Sequence, residues 1–182
     1  MDIATPAGPV ALRPETAADE SFRLALFGAS RQPGWALFPP GPALEQLMLM
    51  QFRGQAKSYK AQYPDARFEI VEWAGAPAGR LAVDRAAGCI TLIDIALAPE
   101  VRRRGIGTAI LSALIAEALA AGLPLRLSVA TGNLAAQRLY RRLGFAMAAQ
   151  GDAYLQMQWP ASAATRRVSA KSKCPLSERG DI

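Results

Sequence analysis

Residues Ile90–Ala121 read ITLIDIALAPEVRRRGIGTAILSALIAEALAA. The stretch Cys89–Ala98 is rich in isoleucine and leucine and predicts a central strand buried on both faces. Ile106–Ala121 predicts a helix that is apolar almost all round, with Glu117 its only charge, lying against a sheet with little of itself exposed. Between them stands Arg102-Arg103-Arg104-Gly105-Ile106-Gly107-Thr108. Two glycines let the backbone turn tightly and bring successive N–H groups close to an anion. The helix that starts there adds the positive end of its dipole. Three arginines flank the same point, and Thr108 offers a hydroxyl in the first turn. A buried strand, a glycine turn between arginines and a buried helix together suit a pyrophosphate.

Elements on either side follow from the same patterns. Upstream, Val10–Arg13 reads as a short strand, and Pro14-Glu15-Thr16 opens a helix over Ala17–Ser30. A Pro/Gly-rich link, Gln32–Pro42, carries Trp35 and Phe38 and leads to a longer helix over Ala43–Tyr63, where Leu44, Leu47, Met48, Phe52 and Tyr59 keep a helical repeat. Arg67–Trp73 alternates as a strand, with Phe68, Ile70 and Glu72 on one face. It turns at Ala74-Gly75-Ala76-Pro77 and pairs with Gly79–Asp84. Downstream, Leu125–Ala130 is a strand. Asn133 caps a helix over Leu134–Leu143, whose apolar face is Ala136, Leu139, Tyr140 and Leu143. Gly144 supplies the left-handed turn after it. Phe145–Ala149 and Tyr154–Trp159 form a closing hairpin.

Composition sets the outer bounds. The chain has 182 residues, 51% hydrophobic and 20% charged, as expected of a folded α/β domain with a substantial core. The formal charge is +6, of which Arg166, Arg167, Lys171, Lys173 and Arg179 against Glu178 and Asp181 place a net +3 beyond Pro160. The reading is one domain over residues 1–159 and a basic, disordered tail over 160–182. The local arginine cluster suggests phosphate, whereas a nucleic-acid surface needs a broader basic stripe with aromatics. No stretch predicts a membrane span, and the N-terminus lacks a secretory pattern. Two cysteines, Cys89 and Cys174, build no disulfide framework, so a cytoplasmic location is expected. There is no histidine, so acid–base work falls to carboxylates, tyrosine, lysine, cysteine, backbone groups or water.

With these residues on the page the chain resembles the GNAT family of acyl-CoA N-acyltransferases. Its Q/R-x-x-G-x-G/A signature is met by Arg102, Gly105 and Gly107. Asn133-Leu134-Ala135-Ala136-Gln137-Arg138-Leu139-Tyr140 matches the family's N-x-x-A-x-x-x-Y pattern, with Leu134 where proline is commoner, and Arg141-Arg142-Leu143-Gly144-Phe145 resembles the ending of that helix. The resemblance implies a mixed, mostly antiparallel sheet of six or seven strands, its central strands splayed, with helices on both faces. It implies acetyl-CoA as cosubstrate, no metal, and direct attack by a primary amine on a small molecule or peptide; family members are commonly dimers. Backbone groups of Ile95 and Leu97, with Ala96 between them, would meet the pantetheine arm. The amides of Arg103, Arg104, Gly105, Ile106, Gly107 and Thr108, with the Arg102 and Arg104 side chains, would hold the pyrophosphate. Asn133 would reach the pantetheine, and Tyr140 would face the sulfur as the acid. Asp94 is the leading candidate for the base, with Glu69, Glu72 and water activated by backbone carbonyls as alternatives.

Plainer readings stand beside these. The arginines alone are an ordinary charge run, Asn133 alone a cap, Tyr140 alone core, and Asp94 alone the partner of an arginine. Trp35, Phe38, Phe52 and Tyr59 line an acceptor pocket or simply pack, and Cys89 reads as a small buried hydrophobe. A dinucleotide-binding oxidoreductase is disfavoured because Ile110 replaces the third glycine and no acidic residue ends Leu125–Ala130. A P-loop lacks its Gly-Lys-Ser/Thr. The alternative to an enzyme is a non-catalytic CoA-binding sensor of the same fold.

Overall fold

A computed structural model of the chain describes residues 2–30, 35, 37–86 and 88–159. The tail expected to be disordered, 160–182, lies outside the described residues, as does Cys174. Strands form where apolar residues alternate or run together between turn residues. They are β1 (Asp2–Ile3), β2 (Val10–Pro14), β3 (Arg67–Trp73), β4 (Ala76–Ala86), β5 (Cys89–Leu97), β6 (Leu125–Ala130), β7 (Ala146–Gln150) and β8 (Tyr154–Trp159). Four α-helices are described: α1 (Glu20–Ser30), α2 (Pro42–Gln62), α3 (Ile106–Ala121) and α4 (Leu134–Arg142).

The strands follow the order β1-β2-β3-β4-β5-β6-β8-β7. The sheet thus has eight strands rather than six or seven. The addition is β1, paired with β2 at Asp2↔Ala11 and Ile3↔Val10; two residues are too few for periodicity to reveal. Pairing is antiparallel for β2–β3, β6–β8 and β7–β8 and parallel for β5–β6. The β3–β4 turn holds Ala74 at φ 52° and Gly75 at φ 77°. Two consecutive left-handed residues make the tight hairpin turn that matches strand twist, so β4 starts at Ala76, three residues before the expected Gly79.

Contacts divide the chain into two compact units, Met1–Ala82 with Asp94–Gly107 and Val83–Ile93 with Thr108–Ile182. In the first, Val10, Ile70, Val71 and Leu81 from the strands are buried, as are Leu26 and Phe27 of α1 and Phe52 of α2. Phe27 meets Phe52 edge-on at 5.7 Å between ring centroids and Trp35 at 6.4 Å. These aromatics therefore pack together, as the plainer reading has it. The entry to α1 is fixed by charge. Asp19 accepts from the Thr16 amide at 2.8 Å and its hydroxyl at 2.9 Å, and takes both Arg13 terminal nitrogens at 2.7 and 2.8 Å. Arg13 hydrogen bonding, above all, holds the Asp19 carboxyl well below the usual carboxylate range.

In the second unit, Ile110, Leu111, Leu114 and Ala118 of α3 are buried, as are Leu125, Leu127, Val129, Leu155 and Met157 of the strands. Ile106 at the start of α3 is buried as well. Leu119 is 53% exposed, so the helix hides one face and not nearly all of itself, as its composition suggested. Glu117 is bonded to Arg85 at 3.0 Å.

Candidate functional site

The glycine turn of the first unit is built from β5, a short 3-10 turn at Pro99–Val101, and the start of α3. Val101 is buried and anchors the turn, while Arg102, Arg103 and Arg104 are exposed. Arg103 at φ 60° and Gly105 at φ 81° are both left-handed. Arg102 before them is extended, at φ −67° and ψ 160°, and left-handed residues in such a turn bring neighbouring amides round toward one side, as at anion-binding turns. A Cβ on Gly105 would also come within 3.0 Å of Pro6 Cγ and Cδ. Gly105 therefore answers to the backbone and to a close neighbour. Gly107 differs, because its Cβ would meet only Leu97 Cδ1, at an ordinary 3.5 Å. No neighbouring atom in this unit requires glycine at 107. The amides of Ile106, Gly107 and Thr108 open α3 and have no intrahelical acceptor.

The arginines are not alike. Arg102 turns back, its Nε donating to the Leu97 carbonyl at 2.8 Å. Arg104 donates to the Glu100 carbonyl at 3.3 Å and lies over the Trp73 ring, 5.0 Å from its centroid. Both are thereby held beside the turn with guanidinium nitrogens to spare, since each has five N–H donors.

Strand β5 leads into this turn, and its burial changes along its length. Cys89–Leu92 are buried, whereas Ile93–Leu97 are only half-buried. The strand is thus not buried on both faces throughout, as its composition suggested. Its parallel partnership stops at the same place, pairing Ile90↔Leu125, Thr91↔Arg126 and Leu92↔Leu127. Beyond Leu92 lie Asp94, Ile95, Ala96 and Leu97, all candidate site residues. At the far end the Ala98 amide bonds the Ala78 carbonyl at 2.9 Å, and a Cβ on Gly79 would stand 2.5 Å from the Ala96 carbonyl. Glycine at 79 is what lets β4 approach β5 so closely.

Asp94 is ion-paired. Arg80 Nη1 donates to its Oδ2 at 3.3 Å, and Arg80 Nε donates to Glu15 at 3.1 Å. Arg23 donates to the other Glu15 oxygen at 2.9 Å. A chain of four charges, Arg23–Glu15–Arg80–Asp94, therefore crosses the first unit, with Arg80 only 7% exposed and stacked over Phe68. Of the alternative bases, Glu72 accepts from Arg13 at 2.7 Å and Glu69 is half-buried.

In the second unit, Asn133 caps α4, its side chain accepting from the Ala136 amide at 3.1 Å. Tyr140 lies two turns on and is 7% exposed, with its ring 5.7 Å from Phe145. A seven-residue step is close to two helical turns, so both residues share a face of α4. Gly144, at φ 90°, ends the helix as expected. Sequence reasoning missed Gln137, which is 3% exposed and donates to the Ala130 and Thr131 carbonyls at 3.1 and 2.8 Å. It ties the loop after β6 to the helix that follows. Its signal was available: a glutamine between Ala136 and Leu139 on an apolar face needs partners when buried. Among the described residues, no group of three or more acidic or cysteine side chains could hold a metal ion, and no helix is long and apolar enough to cross a membrane.

Comparison with known proteins bears on these features. A family model described as the acetyltransferase (GNAT) family matches residues 40–145, a span containing β5, the glycine turn and α4. Solved structures share the fold at low identity. A PaiA N-acetyltransferase from Thermoplasma acidophilum in complex with coenzyme A is 17% identical, with a TM-score of 0.62 over 83% of this chain and 98% of that one. An acetyltransferase from Thermus thermophilus is 20% identical, with a TM-score of 0.61 over 88% and 99%. A GNAT family acetyltransferase from Elizabethkingia anophelis with acetyl-CoA bound is 13% identical, with a TM-score of 0.55 over 83% and 97%.

Proposed function

This chain belongs to the acetyltransferase (GNAT) family, and from that premise we propose that it moves an acetyl group from acetyl-CoA to a primary amine. The observation that carries the reading is the turn at Arg102–Thr108: two left-handed residues, three arginines and the open amides of α3, directly after a strand whose apolar end is half-uncovered. Arg103 through Thr108 hold the pyrophosphate through their amides, and Arg102 and Arg104 add charge-assisted bonds. The half-buried Ile95-Ala96-Leu97 backbone receives the pantetheine, and Asn133 adds a polar contact to it.

Transfer needs no covalent enzyme intermediate. The acceptor nitrogen attacks the thioester carbon, the C–S bond breaks, and the sulfur takes a proton. A phenol stays protonated at neutral pH, because its ordinary pKa is about 10, so Tyr140 can supply that proton. The proton leaving the nitrogen passes to Asp94, or to Glu69, Glu72 or water. Asp94 acts from within its ion pair with Arg80, which fixes the carboxylate in place and competes for it. The acceptor is a small-molecule or peptide amine. A panel of amines incubated with acetyl-CoA and the protein tests the reading. Thiol release matched by an acetylated product supports it; tight CoA binding with no release for any amine turns it to a CoA sensor.

A further inference from the structure

The first unit carries a charged groove on the surface of α1 and α2. It has a volume of 610 Å³ and lies between the start of α1 and the second half of α2. Arg23, Arg53, Lys57 and Lys60 line it, with Glu20 the one carboxylate among its lining residues. Arg53, Lys57 and Lys60 are spaced by four and then three residues, so they stand on one face of α2 over roughly 10 Å of helix. All three are exposed. Such a row of like charges on one helix opposes itself and asks for an anionic partner.

Arg23 is held in the wall of the groove, with its Nη1 bonded to Glu15 and its Nε buried away from the groove surface. Glu20 shows which oxygen the groove accepts, since its carboxylate stands 3.6 Å from Arg53 with both side chains at least half exposed. That pair is weak in water and is readily exchanged for an outside carboxylate. Nucleic acid fits less well. The one aromatic side chain lining the groove, Phe52, is 5% exposed and already carries Arg23 over its face, leaving no platform for a base.

We propose that the α1–α2 groove docks an acidic segment of a protein partner, its carboxylates meeting Lys57, Lys60 and Arg53. The test uses the full chain and a fluorescent peptide of alternating glutamate and alanine, blocked at its N-terminus so that it cannot serve as an acetyl acceptor. Anisotropy at low salt reads its binding, with an oligouridylate of equal charge in parallel and CoA present to occupy the arginine turn. The wild-type chain binds the peptide, and K57E/K60E weakens it by about tenfold or more while CoA affinity and circular dichroism stay unchanged. The neutral pair K57Q/K60Q gives a smaller loss in the same direction and serves if the charge reversal misfolds. The proposal is overturned if the peptide fails to bind, or binds both variants as well as wild type. It is also overturned if the oligouridylate binds more tightly and loses that binding in K57E/K60E.

Discussion

Substituting Gly107 separates what the fold needs from what the ligand needs. A Cβ at 107 meets only Leu97 Cδ1 at 3.5 Å, and the residue sits in the first turn of α3 without positive φ. Alanine is a better helix former than glycine by about 1 kcal/mol, and valine by a few tenths, so neither should lower the melting temperature. The family signature admits glycine or alanine here, so Gly107→Ala should bind CoA within about threefold of wild type. Valine adds two methyl groups over the amides that open the helix. Losing one or two charge-assisted hydrogen bonds, at about 1.5–3 kcal/mol each, weakens CoA at least tenfold and up to beyond a hundredfold. Gly105 cannot serve this purpose, because its φ of 81° and its 3.0 Å contact with Pro6 would strain any replacement. Calorimetry gives the affinities, and circular dichroism with thermal melting checks the fold. A folded Gly107→Val that binds CoA at wild-type strength would refute the assignment of this turn to the phosphates.

The remaining predictions concern the helix after β6 and the entry to α1. Tyr140→Phe keeps the ring against Phe145 and removes only the hydroxyl, so turnover should fall about ten- to a thousandfold with little change in acetyl-CoA affinity. Unchanged turnover with an accepted amine would return Tyr140 to the core. Asp19→Asn should lower stability at pH 7, since it removes the negative charge and one of the two oxygens that hold the terminal nitrogens of Arg13. Asp19 is held charged by Arg13, so its contribution is full above the usual carboxylate pKa and fades as pH falls below it. The two proteins should therefore converge in urea midpoint as the solution is acidified through and below pH 4, and a gap that stays constant would show that the pair contributes little.

The sequence was most legible where turn and cap chemistry marks an end. Ile106–Ala121, Leu125–Ala130 and Tyr154–Trp159 stand where the sequence put them, because Gly105, Gly122 with Pro124, and the Gly151-Asp152 turn bracket them. The Asn133 cap and the left-handed Gly144 were readable for the same reason. What stayed hidden depends on distance along the chain. Arg13 meets Glu72 and Arg80 meets Glu15 across gaps of 59 and 65 residues, so no local pattern reveals that Asp94 shares in an ion-pair chain. Burial that varies along one strand is equally silent. The apolar run Ile90–Leu97 looks uniform in sequence, and only the tertiary structure distinguishes its covered half from its half-covered end.

The central claim is that the turn at Arg102–Thr108 holds acetyl-CoA through its phosphates. Calorimetric titration of the wild-type chain with acetyl-CoA and with NAD, each repeated across a salt series, tests it most directly. The account predicts micromolar affinity for acetyl-CoA that weakens as salt rises, because arginines and amides meet several phosphate charges, and no comparable binding of NAD. Binding of NAD without acetyl-CoA, or acetyl-CoA affinity indifferent to salt, would contradict it.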